Sequence, residues 1–318
     1  MPLPFPYEST VEVLESAFGG MPQGGDLLPD GRFVSVDTNN GRLVGWSPDA
    51  RAHTLAKTTS GPIAVAIGTD QAAYLAHTGG RIGDFWVADD ATEPSIQRLR
   101  IGAEEAETVL TEVDGAPLIA PHDLVWGADG RLWIADSHIW EWEADLRDKR
   151  SGNGRIIALA PDGTAETVVD TGVTFPAGIA AHADGSIVWT EAYLDRVRRW
   201  RPDGTVETVA QLPTGHVPHG IRWAADDSLW ITSFGSSTLD VVAAGGSSVR
   251  SLPLGRGDRP MNLAFDGESL LVVEFLEDDE GEMSGRLLRV TSGVGGAPVF
   301  RGEISGQERP GAGVKPGR

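Results

Sequence analysis

One pattern recurs along the chain and constrains it more than any other feature: a proline, an aspartate eight residues later, then an alternating apolar run. The pairs are Pro22 and Asp30, Pro62 and Asp70, Pro121 and Asp129, Pro176 and Asp184, and Pro218 and Asp226; a sixth copy, Pro260 and Asp266, is two residues shorter. Successive aspartates lie 40, 59, 55, 42 and 40 residues apart. Spacing of this kind marks a repeat architecture, and ~40–50 residues is the length of one four-stranded propeller blade.

Each copy reads as strand, tight turn, strand. In the third, DLVWGA leads into Asp129-Gly130, whose glycine supplies the positive φ a hairpin needs, and RLWIAD returns antiparallel. A second hairpin follows, GRIIALA, Pro161-Asp162-Gly163, TAETVV, and the motif recurs as RVRRW, Pro202-Asp203-Gly204, TVETVA. Four strands per copy and six copies predict an all-β, six-bladed β-propeller forming one domain over 1–304. The segment TVEVLES, 10–16, is expected to add the outer strand of the last blade, closing the ring and hiding its edges. Seven blades is the rival count, because the second copy is long and irregular around GDFWVADD. The polar Gly- and Pro-containing tail, 305–318, is expected to be disordered.

Composition agrees with this reading and narrows the function. Glycines (41) and prolines (20) punctuate short apolar runs throughout, and only WEWEADLRDKR, 140–150, has a helical look. Forty-six acidic against 26 basic residues give a net charge of −20, which repels phosphate backbones and anionic lipid. The expected partner is a small molecule, uncharged or cationic, rather than nucleic acid or membrane. The absence of cysteine excludes disulfides, thiolate metal sites and a Cys nucleophile. With no basic n-region, no apolar h-region and no span of ~20 apolar residues, the expected location is the cytoplasm.

In a propeller the innermost strand of each blade starts at one mouth of the central channel, and the second strand climbs back to it. Two positions per blade are therefore expected to ring that mouth. The residue after each proline reads Gln23, Ile63, His122, Ala177, His219, Met261; the residue about seven after each turn aspartate reads Asp37, His77, Asp136, Glu191, Ser233, Glu274. Convergence of titratable groups at one concave place points to a site. Here His122, His219, Glu191 and Glu274 are the expected acid–base residues, since a His beside a carboxylate has its pKa lifted toward neutrality. Gln23, Asp37, His77, Asp136, Ser233 and Met261 are expected to contact substrate. The insertion after Asp136, SHIWEWEADLRDKRSGN, brings His138, Trp140 and Trp142 as a lid over an apolar ligand, or else packs on the neighbouring blade. His53 and His182 fall at turn or solvent positions. Ser233 lacks the Gly-x-Ser-x-Gly elbow of a nucleophile, the Gly-rich pieces open no helix, and EDDEGE fits no EF-hand.

The segments PHDLVWGADGRLWIADS, FPAGIAAHADGSIVWTEAYLDRVRRWRPDG and VPHGIRWAADDSLWITS resemble the gluconolactonase and regucalcin (senescence-marker) propellers, over roughly 20–300. The resemblance implies a lactone hydrolase with a divalent cation. The family's metal Glu falls near Gln23, its metal Asn on Ala177, its metal Asp on His219 and its substrate Asn on His122, so the usual oxygen-ligand set is replaced. Two arrangements remain open: His122, Glu191 and His219 hold a divalent ion such as Zn²⁺ or Fe²⁺, or they act with no metal. A further resemblance, through SIVWTEAYLDRVRRWRPDGTVET and VPHGIRW, is to streptogramin (virginiamycin B) lyases, and strictosidine-synthase-like propellers show the scaffold in a cyclisation. Three functions are therefore weighed: hydrolysis of a lactone or ester, a metal-independent lyase or cyclase reaction of specialised metabolism, and non-catalytic binding.

Overall fold

The computed structural model describes residues 10–83, 86–103, 105–138, 140–141, 154–246, 248–255, 259–278 and 282–305. Trp142, most of the 140–150 segment and the tail beyond Ser305 lie outside the described residues.

Six four-stranded antiparallel sheets are arranged as a six-bladed propeller. Blade 1 runs Pro22–Leu27, Phe33–Asp37, Arg42–Trp46, His53–Lys57 from the axis outward. The inner strands of the others are Pro62–Ile67, Ala120–Trp126, Pro176–Ala181, Pro218–Trp223 and Arg259–Asp266, and neighbouring inner strands touch all the way round. Val11–Glu15 pairs with Met283–Thr291 as the outer strand of blade 6, so the chain's start closes the ring. This pairing hides the edges of the first and last repeat. The irregular second repeat carries an extra hairpin, Arg81–Ile82 with Trp86–Val87, and not a seventh blade.

Both faces of each blade are buried, which is why the second strands read as nearly unbroken apolar runs. Leu132 and Ile134 join the cluster facing blade 2, whereas Trp133 and Ala135 join the cluster facing blade 4. The period-2 alternation of one strand thus feeds two cores. Equivalent clusters fill the other four gaps between blades.

The two ends of the channel differ. At the end where the inner strands finish, residues 292–305 cross the opening as a strap. Backbone N–H groups of Ala225 and Thr69 donate to Gly295 and Gly302 carbonyls (both 2.8 Å), that of Ala297 donates to Trp223 (3.0 Å), and that of Ser305 donates to Pro161 (2.7 Å). Arg301 forms ion pairs with Asp26 and donates to the carbonyls of Ile67 and Leu27 (2.7 and 2.6 Å). The strap therefore ties blades 1, 2, 3 and 5 together beneath the axis. No helix among the described residues is long and apolar enough to cross a membrane.

Candidate functional site

At the other end, where the inner strands begin, each strand carries a local break in register just after its proline. The register shifts between Pro121 and Asp123, between Pro176 and Ile179, and between Pro218 and Ile221, with equivalents in the other three blades. Such a bulge re-aims the residue it contains. It turns Ile63, His122, His219 and Met261 toward the axis, where together with Gln23, which precedes the break in blade 1, they line a cavity of about 390 Å³. The inner strands approach closely here: a Cβ on Gly178 would lie 2.1 Å from the His219 carbonyl oxygen, so only glycine fits. Ala177 is fully buried below, against a narrow continuation of the channel that also reaches Asp123 and Asn262.

Hydroxyls on the second strands, or one residue past them, fix these bulges. Thr190 Oγ1 donates to the His219 carbonyl and accepts from Gly178 N–H, both at 2.8 Å, so blade 4 pins the backbone of blade 5. Thr232 does the same to the Met261 carbonyl (2.9 Å), Thr38 to Pro62 (2.8 Å) and Ser137 to Pro176.

His122 and His219 stand edge to face on the cavity floor, ring centroids 5.0 Å apart. His122 also meets Phe175 (5.1 Å), and His219 stacks on Phe234 (5.4 Å). Phe175 sits at φ 54°, a left-handed backbone that costs on the order of 1 kcal/mol and that directs its ring between His122 and the pair Trp140 and Tyr193. Burial in this apolar setting pushes His122 down to about 4, partly offset by a hydrogen bond to the Ala177 backbone. Burial also holds His219 well below the ordinary imidazole value, and the nearby His122 adds to this. Both are therefore neutral at pH 7.

The second expected ring does not reach the cavity, and its placement is corrected here. Asp37, His77, Asp136, Glu191, Ser233 and Glu274 each sit directly opposite a blade proline, from Pro22 to Pro260. They lie in regular register, not in the bulge, so their side chains are carried behind the channel wall. Four of them face an arginine across the next strand pair: Asp37 with Arg42 (2.8 Å), Asp136 with Arg155 (2.9 Å), Glu191 with Arg196 and Glu274 with Arg286. Asp136 also accepts from Ile119 and Ala120 N–H (3.1 and 3.0 Å), and Glu191 from Trp189 Nε1 (3.1 Å). Ser233 donates to Asp240, which also meets His216; His77 meets Thr59 and accepts from Gly79 N–H. These are clamps that hold strands 2 and 3 of a blade and the loop that enters that same blade. With the carboxylates elsewhere, no neighbour lifts the histidines toward neutrality, and the set His122, Glu191, His219 is not assembled. Among the described residues no three His, Asp or Glu side chains are grouped to hold a metal ion.

The rest of the cavity wall is apolar. Met21, Ile82, Ile119, Trp140, Phe175, Phe234, Phe275 and Met283 surround the floor, with Gln23, Thr78 and His138 as further polar groups and Arg81, Arg259 and Glu277 as the charged ones. Trp140 packs against Phe175 (4.8 Å) and Tyr193 (5.1 Å), so the start of the blade 3 insertion both leans on blade 4 and walls the cavity. Sequence reasoning missed Phe175, Phe234, Phe275 and Arg259. The available signal was an offset of one: Met21, Phe175 and Arg259 precede a blade proline, and Phe234 and Phe275 follow the clamp positions Ser233 and Glu274.

The fold and this site together define a six-bladed propeller with a ligand-sized, largely apolar cavity at one mouth. Residues 28–273 match the SMP-30/Gluconolactonase/LRE-like region, and the chain belongs to that family. Among curated proteins it is similar to strictosidine synthase-like 3 of Arabidopsis thaliana (27% identical over 159 residues, 47% of this chain and 39% of that protein) and to virginiamycin B lyase of Nocardia farcinica (30% over 132 residues, 42% and 40%). The chain thus spans about two fifths of the length of these curated relatives. Among solved structures, the calcium-binding protein regucalcin of Agrobacterium tumefaciens superposes with a TM-score of 0.70 at 16% identity, covering 93% of this chain and 97% of that one, which shows a shared fold.

Proposed function

We propose that the protein opens a lactone or ester, as gluconolactonases do, but on an apolar substrate, and that His122 and His219 act on it directly. The observation that carries this reading is a pair of neutral imidazoles, 5.0 Å apart, on the floor of an otherwise apolar cavity. One imidazole takes a proton from water as the water oxygen attacks the carbonyl carbon. The N–H of the other donates to the oxygen on which charge develops. The proton then passes to the leaving alkoxide, giving a hydroxy acid. An imidazole whose charged form is disfavoured is wholly in its base form at pH 7, while its weak basicity suits strained or activated acyl groups.

A hard divalent cation does not fit the family's ligand positions in this chain. They carry a carboxamide (Gln23), a methyl group (Ala177) and an imidazole (His219), with no carboxylate among them, whereas Ca²⁺ or Mg²⁺ calls for several oxygen donors. No step is routed through a metal.

A second reading, elimination, is favoured by the 30% identity to a virginiamycin B lyase. There the same base removes a proton from carbon and the ring opens without water. Turnover of a panel of aryl and alkyl lactones in ¹⁸O-labelled water separates the two by mass spectrometry of the product. Hydrolysis adds one labelled oxygen and elimination adds none. His122→Ala and His219→Ala should each lower turnover by about 10²-fold or more. Turnover unchanged in both variants, or no turnover of any panel member, would sink the reading.

A further inference from the structure

The charged groups on the cavity wall run against the charge of the molecule. The chain as a whole carries −20, yet two of the three charged side chains lining the cavity are arginines, Arg81 and Arg259. They come from separate elements: Arg81 from the extra hairpin of blade 2, and Arg259 from the first residue of the blade 6 inner strand.

Arg259 is held in place by aromatic faces. Its guanidinium carbon lies 5.0 Å from the Phe234 ring centre and 6.0 Å from that of Phe275. A guanidinium stacked in this way keeps its edge N–H groups available and loses little freedom on binding a carboxylate. Its carboxylate neighbour, Glu277, approaches only to 3.7 Å, with both side chains partly in solvent. An exposed pair of that length is weak and readily exchanged. Arg81 is exposed and pairs with no carboxylate among the described residues. By contrast, the four arginines of the blade clamps are engaged by fully buried carboxylates. The molecule therefore has two kinds of arginine at this end: one kind turned outward from the channel to hold blades, the other turned to the cavity.

We propose that the cavity takes an amphipathic anion: an apolar, ring-bearing body lying among Trp140, Phe175 and Phe234 above the two histidines, with a carboxylate or similar anionic group received by Arg259, and Arg81 adding positive charge from the same cavity wall. This reverses the expectation from net charge alone, because guanidiniums on the cavity wall, beside low-dielectric surfaces, outweigh screened charges on distant blades. The inference rests on the proposed function in taking this cavity as the substrate site, and not on the chemistry performed there.

Binding of three isosteric probes tests it: 2-naphthoate, 2-naphthamide and 2-naphthylmethylammonium, titrated at low salt and followed by quenching of tryptophan fluorescence, with calorimetry as a check. Naphthoate should bind about tenfold more tightly than naphthamide, with the ammonium weakest, and added salt should narrow the gap. Arg81→Gln/Arg259→Gln should erase the gap, with naphthoate losing more affinity than naphthamide, and Arg259→Lys should keep part of it. Equal affinity for acid and amide, tightest binding of the ammonium, a gap that survives the double variant, or no binding of any probe would overturn the proposal. If the lactone panel fails while the acid-to-amide gap and its loss in the double variant are seen, the anion site stands and the hydrolytic reading falls.

Discussion

Two rings of residues encircle the same mouth of the propeller, one step apart in register, and they have opposite fates. The inner ring, one residue past each proline, looks into the cavity at every blade but the fourth, where Ala177 lies below, and it brings His122 and His219 together without a carboxylate partner. The outer ring, opposite each proline, lies in regular pairing and holds Asp37, Asp136, Glu191 and Glu274 against arginines of the third strand. Similar polar residues, on strands a few ångströms apart, thus line the cavity in one case and hold the blade together in the other. A buried carboxylate beside a mouth is no guide to function until its partner is known, because an ion pair satisfies it as well as a substrate does.

The largest effect that separates the rings is on activity and stability together. His122→Ala and His219→Ala should stay folded while losing turnover, whereas Asp136→Asn and Glu274→Gln should lower stability by about 3 kcal/mol, from one partner of a buried pair. The folded fraction of the carboxylate variants should keep the parent kcat. Denaturant titration alongside turnover measures both, and a carboxylate variant of full stability with lost kcat would return that residue to the site.

The pH response should differ in the same way. His122 is held at about 4 in the folded state, against about 6.5 when unfolded, so between these values the unfolded chain binds the extra proton. Stability then falls as pH drops through that window, by about 3 kcal/mol from this one group, and is unaffected by it above pH 7. His122→Gln should remove this group's share of the loss between pH 6.5 and 4 and leave that of His219, read as the difference in unfolding free energy between variant and parent. Activity should likewise hold down to about pH 5; a limb centred near 6.5 would mean that the histidines are solvated or paired.

The smallest effect concerns the other end of the channel. Arg301→Ala removes the ion pairs with Asp26 and the contacts with Ile67 and Leu27 that seat the strap. The loss should be about 2 kcal/mol, with hydrogen exchange increasing in 292–305 and turnover unchanged. A fall in turnover would show that the two ends of the channel are coupled.

The repeat of prolines and turn aspartates pointed to six blades, the hairpins and the closing N-terminal strand, because those follow from local turn chemistry and period-2 patterning, while the choice of six over seven came from the structure. It also placed His122 and His219 at the mouth, since a bulge after every proline treats each copy alike. What it could not supply was the direction of the outer ring. The arginines that capture those carboxylates follow at five residues in DTNNGR and EAYLDR but at 19 after Asp136 and 12 after Glu274, so no fixed spacing announces them. Only hairpin lengths realised in three dimensions bring each arginine opposite its carboxylate. Tertiary structure likewise decided that Phe175, Phe234 and Arg259, from three blades, share one cavity, because convergence on an axis is a property of the closed ring and of no single repeat.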